Sequence, residues 1–61
     1  MNSAYYQRLA TYNVDQLPEN LVQLGYQRVP LVLNAGDFSV RGSIIDIFSV
    51  NQNLPVRLEF L

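Results

Sequence analysis

Sixty-one residues form one small domain at most, and a chain of this length buries only about 60% of the surface its unfolded state exposes. Cysteine, histidine, tryptophan and lysine are all absent, which removes disulfides, thiolate nucleophiles, imidazole bases and the usual zinc sites. Four arginines against five carboxylates leave a net charge of -1, which argues against a dedicated nucleic-acid-binding domain held by counterion release and against a polybasic membrane anchor.

The chain opens ambiguously. Ser3 to Thr11 reads either as a short helix capped by Ser3 and carrying Tyr5, Tyr6, Leu9 and Ala10, or as a strand ending near Tyr12. No signal-peptide pattern follows Met1, and the uncharged run Val29 to Gly36 is broken by Pro30 and too short to cross a bilayer, so a soluble intracellular chain is expected.

The next signals predict a helix over residues 16–24. Asp15 suits the N-cap, Pro18 sits in the first turn where its missing N–H costs nothing, and Glu19 favours the positive end of the helix dipole. Leu17, Leu21 and Leu24 form an apolar stripe widened by Val22, with Asn20 and Gln23 facing away. Gly25 ends the helix by taking the left-handed conformation, and Tyr26 packs back on the last turn.

From Tyr26 the period changes from 3.6 to 2. Val29, Leu31 and Leu33 alternate in a first strand that Pro30 confines to a sheet edge or an unpaired position, and Asn34 to Gly36 form a turn. Asp37 to Arg41 follows with Phe38 and Val40 on one face and Ser39 and Arg41 on the other. The alternation slips by one residue at Gly42-Ser43, which predicts a bulge or sharp bend within one long second strand, its far half, Ile44 to Phe48, buried on both faces. A polar loop leads to a last strand in which Val56, Leu58 and Phe60 alternate with Arg57, Glu59 and Leu61. The expected fold is α+β, with one or two N-terminal helices packed on a small three-stranded antiparallel meander, all in one domain spanning residues 1–61. The strand pattern running into Phe60-Leu61 suggests a cut from a longer sequence, and an unpaired last strand predicts strand exchange or dimerisation of the isolated chain.

Each enzyme template lacks a part. Ser39, Ser43 and Ser49 have no histidine or lysine to activate them. Asp37, Asp46 and Glu59 fall at separate positions, where a turn former, a strand residue and an ion-pair partner are their ordinary roles. Gly36 to Gly42 lacks the spacing and the lysine of a phosphate loop. What remains is surface recognition. Strand parity puts Arg41, Arg57 and Glu59 on polar faces, with Arg28 just after the helix; Arg41 and Arg57 share a face if their strands are neighbours. They are either solvated charges or a binding patch suited to carboxylates and aromatic rings. Tyr5, Tyr6 and Tyr12 admit the same alternatives, packing or recognition.

Leu24-Gly25-Tyr26-Gln27-Arg28-Val29, Gly36-Asp37-Phe38-Ser39-Val40-Arg41-Gly42, Ile44-Ile45-Asp46-Ile47-Phe48 and Leu54-Pro55-Val56-Arg57-Leu58-Glu59-Phe60 together resemble the UvrB-homology region. The excision-repair protein UvrB shares this region with the transcription-repair coupling factors (Mfd). The wording is nearer to the coupling factors, with UvrB domain 2 as the second choice, and the resemblance covers about residues 14–61. It implies a small non-catalytic α+β domain that docks onto UvrA and recruits it to stalled RNA polymerase on damaged DNA in the bacterial cytoplasm. It also implies no cofactor in this segment, with ATP, DNA and RNA polymerase handled by other parts of the parent. By the same resemblance Arg41 and Arg57 match residues that contact UvrA, Glu59 and Arg28 match further contact positions, and Leu61 falls where a second exposed Phe is usual. Ser39, Ser43, Ser49 and Leu61 depart from the family pattern, which bears on the strength of UvrA binding more than on the fold. A nucleic-acid-binding module and a structural spacer are the alternatives from other classes.

Overall fold

The computed structural model describes residues 15–60 and, through their backbone alone, residues 5–9. Helix α1 spans Gln16–Gln23, with Asp15 at the N-cap position but making no side-chain cap bond. Its C-terminus is closed by the glycine expected there. Gly25 has φ 95°, its N–H donates to the Val22 carbonyl at 3.0 Å, and the Tyr26 N–H donates to the Leu21 carbonyl at 2.9 Å. This pair of bonds satisfies carbonyls that the helix would otherwise leave without partners. The apolar stripe is shorter than its spacing suggested. Leu21 is buried and Leu17 packs beside it, whereas Leu24, already at the C-cap, is 75% exposed.

Among the described residues five strands follow the order β1-β5-β4-β3-β2 in one sheet: β1 (Tyr5–Leu9), β2 (Gln27–Arg28), β3 (Asp37–Arg41), β4 (Ile44–Ile47) and β5 (Val56–Phe60). The antiparallel meander β3-β4-β5 is present, and the fold is α+β as expected. It is extended by a parallel strand on each side, β2 along β3 and β1 along β5. Tyr5–Leu9 is therefore a strand, which resolves the N-terminal ambiguity against a second helix there, and β5 is paired on both sides. That pairing removes the unpaired edge from which dimerisation was expected. Ser3 as a cap, the side chains of Tyr5, Tyr6 and Tyr12, and Leu61 lie outside the described residues.

Two further expectations are corrected. The strand foreseen over Val29 to Leu33 is only the two residues Gln27–Arg28. Beyond them Pro30 has no N–H to give a ladder, and Val32 is buried while Leu31 and Leu33 are exposed, the inverse of the expected alternation. The segment is tied down instead by Asp37, whose Oδ2 accepts from the N–H groups of Leu33 at 3.2 Å and Asn34 at 3.0 Å. Gly42-Ser43 is not a bend inside one strand but a two-residue hairpin loop between two strands, with Arg41 opposite Ile44. Gly42 has φ 58°, the positive value that the first loop residue of a primed hairpin turn requires. Two loop residues reset the parity, and so the alternation slips there.

The core lies between α1 and one face of the sheet. Leu21, Phe38, Ile45 and Phe60 are buried together, with Leu17, Tyr26, Val40, Ile47 and Leu58 packed around them. Register explains the set, since Phe38 faces Ile47, and Val40 faces Ile45, which faces Leu58. The Tyr26 hydroxyl also accepts from the Val50 N–H at 3.4 Å, tying the 49–55 loop to the helix end. Among the described residues no helix is long and apolar enough to cross a membrane.

Candidate protein-docking face

β4 is the middle strand of the meander, and a strand's period of 2 sends its side chains alternately to the two faces. Ile45 and Ile47 enter the core, so Ile44 and Asp46 point to the opposite face. Register then builds a small array on that face. One row runs Ser39, Asp46, Arg57, and the next runs Arg41, Ile44, Glu59.

Asp46 is the centre of the array and only 1% exposed. Arg57 holds it with both arms of a fork, Nε to Oδ1 at 2.8 Å and Nη2 to Oδ2 at 3.1 Å. Arg41 Nη2 stands 3.9 Å from the same Oδ2, an ion pair rather than a hydrogen bond. The two arginines differ in exposure, with 30% of the Arg57 side chain accessible against 66% for Arg41. The hydrogen bond to Asp46, and behind it the attraction of the carboxylate charge, raises the Arg57 guanidinium above its ordinary pKa, so Arg57 stays charged across the working range. Both oxygens of the Asp46 carboxylate are taken up in holding the Arg57 guanidinium. Ser39, 3% exposed, lies directly opposite Asp46. The geometry suits binding and not bond-making.

Of the residues singled out from the sequence, Arg41, Arg57 and Glu59 share this face. Arg41 and Arg57 are not on neighbouring strands, however, because β4 and its Asp46 stand between them. Arg28 is not brought to them. It is opposite Phe38 in the β2–β3 register, and with Pro18, Glu19, Val22, Gln23 and Phe38 it lines a shallow groove of about 350 Å³ on the helix side of the sheet. Leu61 lies outside the described residues. Sequence reasoning treated Asp46 as an ordinary strand residue and missed its central place. The signal was the single carboxylate inside Ile-Ile-Asp-Ile-Phe, since a charge buried in an apolar strand requires a partner.

The sequence over residues 6–61 matches the family model described as the UvrB interaction domain. The chain is 51% identical over 49 residues to the transcription-repair-coupling factor of Myxococcus xanthus, a match covering 80% of this chain and 4% of that protein. It is 49% identical over 45 residues to the transcription-repair-coupling factor of Bacillus subtilis strain 168, covering 74% of this chain and 4% of that one. A third, from Mycobacterium tuberculosis, is 48% identical over 46 residues, covering 75% of this chain and again 4% of the relative. The chain thus corresponds to about 4% of the length of these relatives.

Proposed function

Because the chain belongs to the UvrB interaction domain family, we propose that it docks onto UvrA through the sheet face that carries Arg41, Arg57 and Glu59. The observation that supports this reading is the pairing of the family match with two guanidinium groups set around one buried carboxylate, on the sheet face that the helix leaves uncovered. Arginine suits such a face because its planar fork forms paired hydrogen bonds with carboxylates and stacks on aromatic rings. In a bacterial transcription-repair coupling factor, the role carried by the relatives' name, the domain is an adaptor that brings UvrA to RNA polymerase stalled on damaged DNA. ATP turnover and the binding of DNA and polymerase belong to other parts of such a protein.

The test is capture of purified UvrA by the chain and by its Arg41→Ala and Arg57→Gln variants. Wild-type chain should retain UvrA, and the double variant should not. Capture that survives both substitutions would sink the assignment. Charge reversal is the poorer probe at position 57, since Arg57→Glu sets a second carboxylate against buried Asp46 and confounds lost binding with lost folding.

A further inference from the structure

An arginine has five N–H donors, and Asp46 occupies two of those on Arg57, the Nε–H and one Nη2–H. Both lie on one edge of the guanidinium plane. The outer edge, made by Nη1 and the second Nη2–H, points away from Asp46, and among the described residues none of its donors has a partner. The side chain remains 30% exposed. We propose that Asp46 is a positioning residue for UvrA docking: it holds Arg57 so that the outer edge of the guanidinium presents two parallel N–H donors to a planar carboxylate on the partner. This rests on the docking function proposed above and says what that face recognises.

Two physical consequences follow from the fork. An unrestrained arginine loses several rotatable bonds' freedom when it binds, whereas Arg57 is already ordered, so less affinity is lost to immobilisation. Asp46 also offsets part of the Arg57 charge, which leaves a contact that depends on direction more than on net attraction. Lysine, a point charge without a fork, cannot replace it.

The affinity of purified UvrA for the chain and four variants decides the matter: Arg57→Lys, Arg57→Ala, Asp46→Asn, and the double variant Asp46→Asn/Arg57→Ala. Arg57→Lys should weaken binding about tenfold despite keeping the charge, as expected for loss of a charge-assisted paired contact. Asp46→Asn should weaken it similarly when Arg57 is present and by less than about twofold in the Arg57→Ala background, because Asp46 acts only through Arg57. Wild-type affinity in Arg57→Lys, or an equal loss from Asp46→Asn in both backgrounds, overturns the positioning role. If Asp46→Asn fails to fold, Asp46→Glu, which keeps the carboxylate but displaces the fork, takes its place in the same comparison, and an equal loss in the Arg57 and Arg57→Ala backgrounds again overturns the positioning role. No binding by the wild-type chain, or full binding by Arg57→Ala together with Arg41→Ala, is a different result, and it removes the docking function itself.

Discussion

Asp46 stands directly across the β4–β5 ladder from Arg57, and the same two residues close a two-bond fork at 2.8 and 3.1 Å. Backbone register and side-chain pairing thus select the same partner. Removing one member of a fully buried pair costs about 3–5 kcal/mol, because the other charge is left unpaired. Here Arg57 is 30% exposed and water reaches it, so Arg57→Met should cost less, about 2 kcal/mol. Replacing both, Asp46→Leu with Arg57→Met, should restore most of that stability while abolishing UvrA capture. Urea unfolding measures both variants, and a double variant less stable than the single one would refute the argument.

Phe38 is wholly buried between the helix and the middle of the sheet. Phe38→Ala should cost about 3–5 kcal/mol, comparable with the whole stability of a chain this short at roughly 0.05–0.15 kcal/mol per residue. Circular dichroism should show loss of the cooperative thermal transition. A sharp melt within a few degrees of wild type would mean that the core is centred elsewhere.

Gly25 isolates backbone strain from packing. A Cβ added there meets nothing within 4 Å, so Gly25→Ala is opposed only by the φ of 95°, a cost of about 1–2 kcal/mol for an L-residue. For a domain of this size each 1 kcal/mol lowers Tm by about 4–8 °C. Val22→Ala, at a side chain 57% exposed, should shift stability by no more than about 0.5 kcal/mol. Calorimetry comparing the two checks the helix-ending role, and equal shifts would contradict it.

Arg41 offers the complementary separation of binding from stability. At 66% side-chain exposure, with an ion pair of 3.9 Å, it contributes little to the fold, and Arg41→Ala should change stability by less than about 0.5 kcal/mol. Its charge is screened over a Debye length of about 8 Å at physiological salt. UvrA binding should therefore weaken as salt rises, and Arg41→Ala should both lower the affinity and flatten that dependence. Salt-independent binding with an unchanged response in the variant would place the contact elsewhere.

Much of this was legible in the residues because the signals were local. Pro18 and Gly25 marked the helix to within one residue, and the apolar alternation of Phe38-Val40 and Val56-Leu58-Phe60 identified two core-facing strands. Gly42 was visible as a break but not as a turn, because a bulge and a two-residue loop shift parity alike and only cross-strand register tells them apart. Val29, Leu31 and Leu33 mimicked a strand although the chain turns Val32 inward there. The parallel pairings of β1 and β2 left no signature, since each joins segments whose adjacency depends on the whole fold. The site was legible in part for the same reason: parity put Arg41 and Arg57 on one face only if their strands were neighbours, and they share that face instead across β4, whose Asp46 gains its meaning only once the strand is placed between them.

The parallel pairing of β1 with β5 has a mechanical consequence. Tyr5 lies beside Val56 and Leu9 beside Phe60, so a pull applied at Tyr5 and at Phe60 acts from opposite ends of one ladder and loads its evenly spaced bonds together, in shear. A pull at Tyr5 and Val56, neighbours at the same end, peels β1 away one bond at a time. Single-molecule pulling should need a clearly higher rupture force through the first pair of attachment points than through the second. Under axial tension along these two strands the five register pairs of the ladder should share the load, whereas peeling from one end meets them one at a time.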